Sequence, residues 1–326
     1  MKRRDFITLV GGAAAAWPFI ARAQEPGRTY RLGFLVPTAR TSAGMAAFID
    51  ELRLGGFVEG QNLTVVGSFD VTPDQIADGV TSVVKAAPDA IVSGPELYAR
   101  ALQAATRTIP LVSMSEDLVG AGLAASLAKP GGNVTGISLL SPELDGKRQD
   151  ILLEAVPGAR RIAALTDSTT TPERHLHELQ EAARSHGVEL LIFAVSKPED
   201  IAYALNDAKA QGAEAINVLA TSLFSVPGSP NSRVVIERSA ELRLPSIFQW
   251  PELAEVGGLV GYGPRFTQVY RQRARMIVKV LRGTKVADLP VEQPMNFELV
   301  INLKTAKAIR HEVPAGLVLR ADKVIE

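Results

Sequence analysis

Residues 63–95 and 188–220 align without a gap at an offset of 125. Pro73 falls on Pro198, Ile76 on Ile201, and Ala90-Ile91 on Ala215-Ile216. Acidic residues coincide as well, Asp74 with Glu199 and Asp89 with Glu214. Each copy reads as a short apolar run, a Pro-started amphipathic stretch and a second apolar run. Short apolar runs bounded by turn residues are strands, and apolar stripes at helical spacing are helices. A strand–helix–strand unit sets its two strands parallel, so repeated units predict an α/β fold with helices on both sheet faces. The match is either a true duplication or the shared rhythm of such units. As a duplication, it predicts two similar lobes.

The same rhythm extends beyond the repeat. Strands are expected over 31–36, 63–69, 90–92, 111–112 and 134–140, then again over 161–165, 188–195, 215–219 and 245–248. Met45, Phe48, Ile49 and Leu52 share one helix face. Thr72-Pro73-Asp74-Gln75 is a capped helix start with Pro at the first position, followed by a stripe of Ile76, Val80, Val83 and Val84. The third part differs. Gly257-Gly258-Leu259-Val260-Gly261-Tyr262-Gly263-Pro264 reads as a glycine-rich strand, or as a flexible turn and hinge. It lacks the Gly-x-Gly-x-x-Gly spacing of a dinucleotide site. A helix over 267–281, a strand over 297–301 and a helix over 303–309 follow. The chain after Pro245 is too long for a tail, so it is expected to return to the first lobe and finish on the second. The expected division is residues 28–139 with 252–290 in one lobe, and 140–251 with 291–326 in the other.

The first 23 residues stand apart. Lys2, Arg3 and Arg4 precede an uncharged run over 6–21, which ends at Ala21-Arg22-Ala23. That is the pattern of a secretory signal peptide cleaved near Ala23. The run falls short of the roughly 18–20 apolar residues a membrane span needs. Arg3-Arg4 before Asp5-Phe6 points to the twin-arginine route. Removing this segment takes four basic residues and one acidic residue from the 35 of each sign, leaving a net charge of −3. A mixed, faintly acidic surface carries no footprint for nucleic acid or anionic membrane. Cysteine is absent, which excludes disulfides, thiol chemistry and a lipid-modified cysteine. A free periplasmic monomer without stable membrane insertion is expected.

No Gly-x-Ser-x-Gly elbow or Walker A loop occurs. His175 and His177 lie two apart on a predicted helix, the wrong spacing for a zinc pair, and read as surface residues. No catalytic residue, metal site or cofactor is expected. In a doubly wound sheet, ligands bind beyond the carboxyl ends of the strands. The candidates there are Thr38 and Ser42; Ser93, Gly94 and Glu96; Ser115 and Asp117; Asp167, Ser168 and Thr169; Thr221 and Ser222; and Trp250. The hydroxyls and carboxylates are also preferred helix caps. The two readings are compatible, because free N–H groups at helix starts hold anions such as an α-carboxylate. Asp117 and Asp167, one per lobe, are candidates to pair with an α-ammonium. Trp250 either stacks on a ligand ring or packs at the hinge or in the core.

Several segments together resemble one family. They are the leader from Lys2 to Trp17, Leu127-Ala-Lys-Pro-Gly-Gly-Asn-Val-Thr-Gly136, the stretch Gly257 to Pro264, Phe297-Glu-Leu-Val-Ile-Asn-Leu-Lys-Thr-Ala306 and the ending Arg320-Ala-Asp-Lys-Val-Ile-Glu326. The family is the ABC-transporter substrate-binding proteins of the tryptophan/tyrosine-uptake type. The resemblance implies a type I periplasmic-binding-protein fold: two Rossmann-like lobes with parallel sheets, joined by a three-segment hinge and closing on a ligand. It places Asp117 where an Asp commonly follows the fourth strand. Asp167 stands where many members have Asn, Ser168-Thr169-Thr170 replaces a Pro/Asn-rich turn, and Ser93-Gly94-Pro95-Glu96 replaces a Gly/Thr-rich loop. The expected role is the periplasmic solute-binding component of an ABC importer, taking an amino acid or related metabolite and delivering it to an inner-membrane permease. The alternatives are a ligand-sensing module for a membrane receptor and an exported α/β enzyme.

Overall fold

The computed structural model describes residues 27–326, so the expected leader and its cleavage site lie outside the described residues. Strands β1 (Tyr30–Leu35), β2 (Leu63–Ser68), β3 (Ala90–Ser93), β4 (Leu111–Ser115) and β5 (Val134–Ser138) form one sheet in the order β2-β1-β3-β4-β5. All its pairs are parallel. The second sheet holds β6 (Arg161–Asp167), β7 (Glu189–Val195), β8 (Ala215–Val218), β9 (Ser246–Phe248), β10 (Val260–Gly263), β11 (Glu298–Asn302) and β12 (Lys323–Ile325). Its order is β7-β6-β8-β9-β10-β11-β12, with β11 antiparallel to β10. The run β7-β6-β8-β9-β10 repeats the first sheet's order five strands on, and this 2-1-3-4-5 order is a doubly wound arrangement.

The offset of 125 holds in three dimensions. It carries β3 onto β8 end to end, the 3-10 turn Pro73–Gln75 onto Pro198–Asp200, and the helix Ile76–Lys85 onto Ile201–Ala210. Proline opens both turns because its fixed φ suits the first helical position, where no N–H partner is lost. Alternate residues of the first sheet serve opposite faces. Leu32 and Phe34 pack with Met45, Phe48 and Leu52 of the helix Ala43–Leu54, whereas Leu35 and Ile91 pack with Val80, Val83 and Leu102 on the other side. Each such side chain taken from water contributes about 1.5–3 kcal/mol.

The chain passes between the sheets three times. It leaves β5 for the helix Ser141–Ala155, which packs against β8, β9 and β10. It returns after β10 to the helix Phe266–Leu281, which lies on the helix Ala43–Leu54 and on β3, β4 and β5. It then crosses to β11 beside β5, where Ser138 N donates to Glu292 O and Glu292 N donates to Gly136 O, both at 2.9 Å.

Two expectations change. Residues 252–263 do not return to the first sheet: β10 pairs with β9 and β11 inside the second, and the return begins only at Phe266. Of the two readings of the glycine-rich stretch, the strand holds for Val260–Gly263 and the hinge does not. Gly261 and Gly263 let β10 approach the end of β9 closely. A Cβ at Gly263 would lie 2.0 Å from the Gln249 carbonyl oxygen, and one at Gly261 would lie 2.8 Å from Pro251 Cα.

Candidate ligand-binding cleft

The carboxyl ends of the two sheets face each other across a narrow cleft with a cavity of about 30 Å³. The first sheet supplies Pro37 and Thr38 after β1, Gly94 and Pro95 after β3, and Met114 and Glu116 at the end of β4. The second supplies Thr221 and Ser222 after β8, and Gln249 and Trp250 after β9. The helix Phe266–Leu281 closes one side with Phe266, Tyr270 and Arg273.

Local geometry explains these placements. Gly94 N donates to Leu35 O at 2.7 Å and Gly94 O accepts from Ser113 Oγ at 2.8 Å, tying the lip after β3 to both neighbouring strands. A Cβ there would lie 2.8 Å from Tyr98 Cγ. Trp250 is buried and meets Phe266 edge to face, with centroids 5.1 Å apart. It therefore packs at the seam between the lobes and also lines the cleft, so both readings of this residue apply. Thr38 and Tyr270 share a hydroxyl–hydroxyl hydrogen bond of 3.1 Å, and burial pushes the Tyr270 phenol up. Arg273 is only 2% exposed. Its guanidinium lies over the rings of Phe48 and Tyr270, at 5.8 and 5.6 Å. Burial brings its pKa down to about 10, so it remains a cation at neutral pH.

Of the residues expected from sequence, Thr38, Gly94, Thr221, Ser222 and Trp250 line the cleft. The others sit outside that lining, held by local bonds. Ser42 caps the helix Ala43–Leu54 by accepting from Met45 N. Ser93 Oγ donates to Gly94 O, and the Ser115 carbonyl accepts from Leu139 N. Glu96 pairs with Arg100 at 2.7 Å on the helix surface. Asp117 is exposed, and its Oδ1 accepts the N–H groups of Val119 and Gly120. Ser168 Oγ donates to Val195 O. Asp167 is buried one step behind the cleft, accepting from Thr169 N and Thr169 Oγ1 on one oxygen and from Thr221 Oγ1 on the other.

A polar cluster supports the second-sheet wall. Asp145 pairs with buried Arg148, receives a bond of 3.0 Å from His175 and accepts from Ala220 N, next to Thr221. His175 is thus not a surface residue. Burial alone would raise the Asp145 pKa, but the neighbouring Arg148 charge and the bonds from His175 and Arg148 hold it below the usual carboxylate range. Among the described residues, no group of three or more His, Cys, Asp or Glu side chains is arranged to hold a metal ion, and no helix is long and apolar enough to cross a membrane.

Two doubly wound lobes linked by three crossings, with a cleft between their strand ends, define a substrate-binding protein of the type I periplasmic-binding-protein fold. Residues 41–325 match the family described as ABC transporter substrate binding protein, and the chain belongs to it. The tyrosine-binding protein of Clostridioides difficile (strain R20291) is 26% identical over 271 residues, covering 80% of this chain and 75% of that relative. Among solved structures, a conserved domain protein of Vibrio cholerae superposes with a TM-score of 0.81 at 25% identity, over 91% of this chain and 100% of that one. An ABC domain from Streptococcus pneumonia in complex with L-Trp superposes with a TM-score of 0.79 at 23% identity, with the same coverage.

Proposed function

We propose that this protein is the solute-binding component of an ABC importer, capturing an amino acid or closely related metabolite between its lobes and delivering it to an inner-membrane permease. The observation that carries this reading is the cleft itself: its walls come from the strand ends of both sheets, so an occupant bridges the lobes and favours their closure. The names of two relatives point to the ligand class, one a tyrosine-binding protein and one solved with L-Trp. Thr38, Gly94, Thr221, Ser222 and Trp250 would contact the ligand, joined by Glu116 and Gln249. The leader would route the chain to the periplasm and be cut near Ala23, leaving a free monomer. The lobes would comprise residues 28–139 with 266–290, and 140–263 with 298–326.

The test is a ligand panel against protein lacking residues 1–23, read by melting temperature and by Trp250 fluorescence. A ligand that binds only the folded state stabilises it by about 2.7 kcal/mol at a hundredfold excess over Kd. If none of the common amino acids or their close metabolites moves either signal, this reading fails.

A further inference from the structure

Arg148 and Arg273 are both fully buried, but they are treated differently. Arg148 has an ion pair with Asp145 and a bond to the Tyr262 carbonyl. Arg273 has aromatic rings against it and, among the described residues, no salt-bridge carboxylate. Its Nε and Nη2 are buried without a hydrogen-bond partner. A buried cation is expensive unless paired, and a buried unsatisfied donor adds to that cost. These two atoms are not an arbitrary pair. Their N–H bonds point the same way along one edge of the guanidinium, the edge that receives two oxygens of a planar anion. Arg273 also lines the cleft.

We propose that Arg273 is the anion receptor of the cleft and that the ligand presents a carboxylate to its Nε–Nη2 edge. This deepens the proposed function and rests on the cleft being the ligand site. The rings of Phe48 and Tyr270 flank the flat group, and its Nε–Nη2 edge is the part that no described residue bonds. Among the described residues lining the cleft, Arg273 is the one cation and Glu116 the one carboxylate. One positive and one negative group suit a ligand with a single carboxylate and do not suit a dianionic phosphate. The walls between are largely apolar, with Val36, Leu139, Val226, Trp250 and Phe266, so the body of the ligand beyond its carboxylate is apolar too.

The experiment compares wild-type protein with Arg273→Gln and Arg273→Lys, all lacking residues 1–23. The probes are L-tryptophan, L-tyrosine, their carboxamides, and the deaminated acids 3-indolepropionate and 3-(4-hydroxyphenyl)propionate. Kd is measured by calorimetry and the ligand-free melting temperature by scanning. Wild type is expected to favour an acid over its amide by roughly 10- to 100-fold, the range of a charge-assisted hydrogen bond. Arg273→Gln should erase that preference and Arg273→Lys should keep part of it. The ligand-free Arg273→Gln protein should melt no lower than wild type, because the buried charge it removes has no carboxylate partner among the described residues. A drop in melting with the acid preference intact would assign Arg273 to the fold alone and overturn the proposal. So would probes that bind as acid and amide equally, leaving the binding function standing. Arg273-dependent binding of the deaminated acids without the amino acids would support the receptor and remove the amino-acid reading. Failure of every probe would overturn both. If Arg273→Gln does not fold, the wild-type acid–amide ratio and Arg273→Lys decide.

Discussion

Thr221 Oγ1 donates a 2.9 Å hydrogen bond to Asp167 Oδ2, joining the lip after β8 to the end of β6. Asp167 thus acts on the cleft through Thr221. Asp167→Ala strips three hydrogen bonds from two buried or half-buried loops. It should cost about 1–3 kcal/mol of stability, as seen when buried polar groups lose their partners. Urea midpoints measure this. Thr221→Val combined with Asp167→Ala should cost less than the sum of the single changes, since the two share one bond. Strict additivity would show that the pair does not interact.

Asp117 makes a contrasting case. Its carboxylate is spent on the N–H groups of Val119 and Gly120 in an exposed turn. Asp117→Ala should lower stability by about 1 kcal/mol and leave ligand affinity within a factor of two. A loss of affinity beyond tenfold would place Asp117 in the binding site after all.

The pH response follows from Asp145. Its folded pKa is depressed, so the unfolded chain takes up a proton first as the solution is acidified. Its stabilising contribution is complete above the unfolded value of about 4, and it is lost as pH falls through the lower folded value. Denaturation midpoints between pH 6 and pH 3 should therefore show an acid limb that Asp145→Asn flattens. Asp145→Asn should also lower stability at neutral pH, since it strands the buried charge of Arg148.

Gly263→Ala tests the close approach of β10 to the end of β9. The added methyl would lie 2.0 Å from the Gln249 carbonyl oxygen, which must shift with the cleft residue next to it. A loss of about 1–3 kcal/mol is expected, with altered Trp250 emission in the ligand-free protein. Wild-type melting and emission together would mean that the strand pair tolerates a wider gap.

The fold was legible wherever local periodicity and chain geometry agree. Pro73 and Pro198 mark matching helix starts, and the repeat they anchor reproduces β3 and β8 residue for residue. The second crossing was misplaced because glycines at 257–263 look like a hinge when their neighbour across the sheet is unknown; only pairing with β9 and β11 makes them a strand. The site was half legible. Strand ends predicted the positions, but Ser42, Asp117 and Asp167 answered to nearby N–H or hydroxyl donors instead of the cleft. Arg273 leaves only a faint trace in the sequence. Phe266, Val269, Tyr270, Arg273 and Ile277 follow helical spacing on one buried face, so an arginine interrupts an apolar stripe. His175 escaped for a related reason, since its partner Asp145 lies 30 positions away in sequence.

The return of the helix Phe266–Leu281 to the first sheet has a consequence for how the chain emerges from the ribosome. Phe34, Met45 and Phe48 lie early in the chain, yet the helix that covers them is made only after all but two strands of the second sheet. The first lobe to be synthesised therefore stays uncovered while most of the second is made. Until about residue 281 is available it carries a bare apolar face, a state prone to sticking to other chains. The second sheet faces a milder delay, since through β10 it already has the five-strand order of a complete unit. The nascent protein is thus most vulnerable at its oldest segment, and shielding by a chaperone would matter most there.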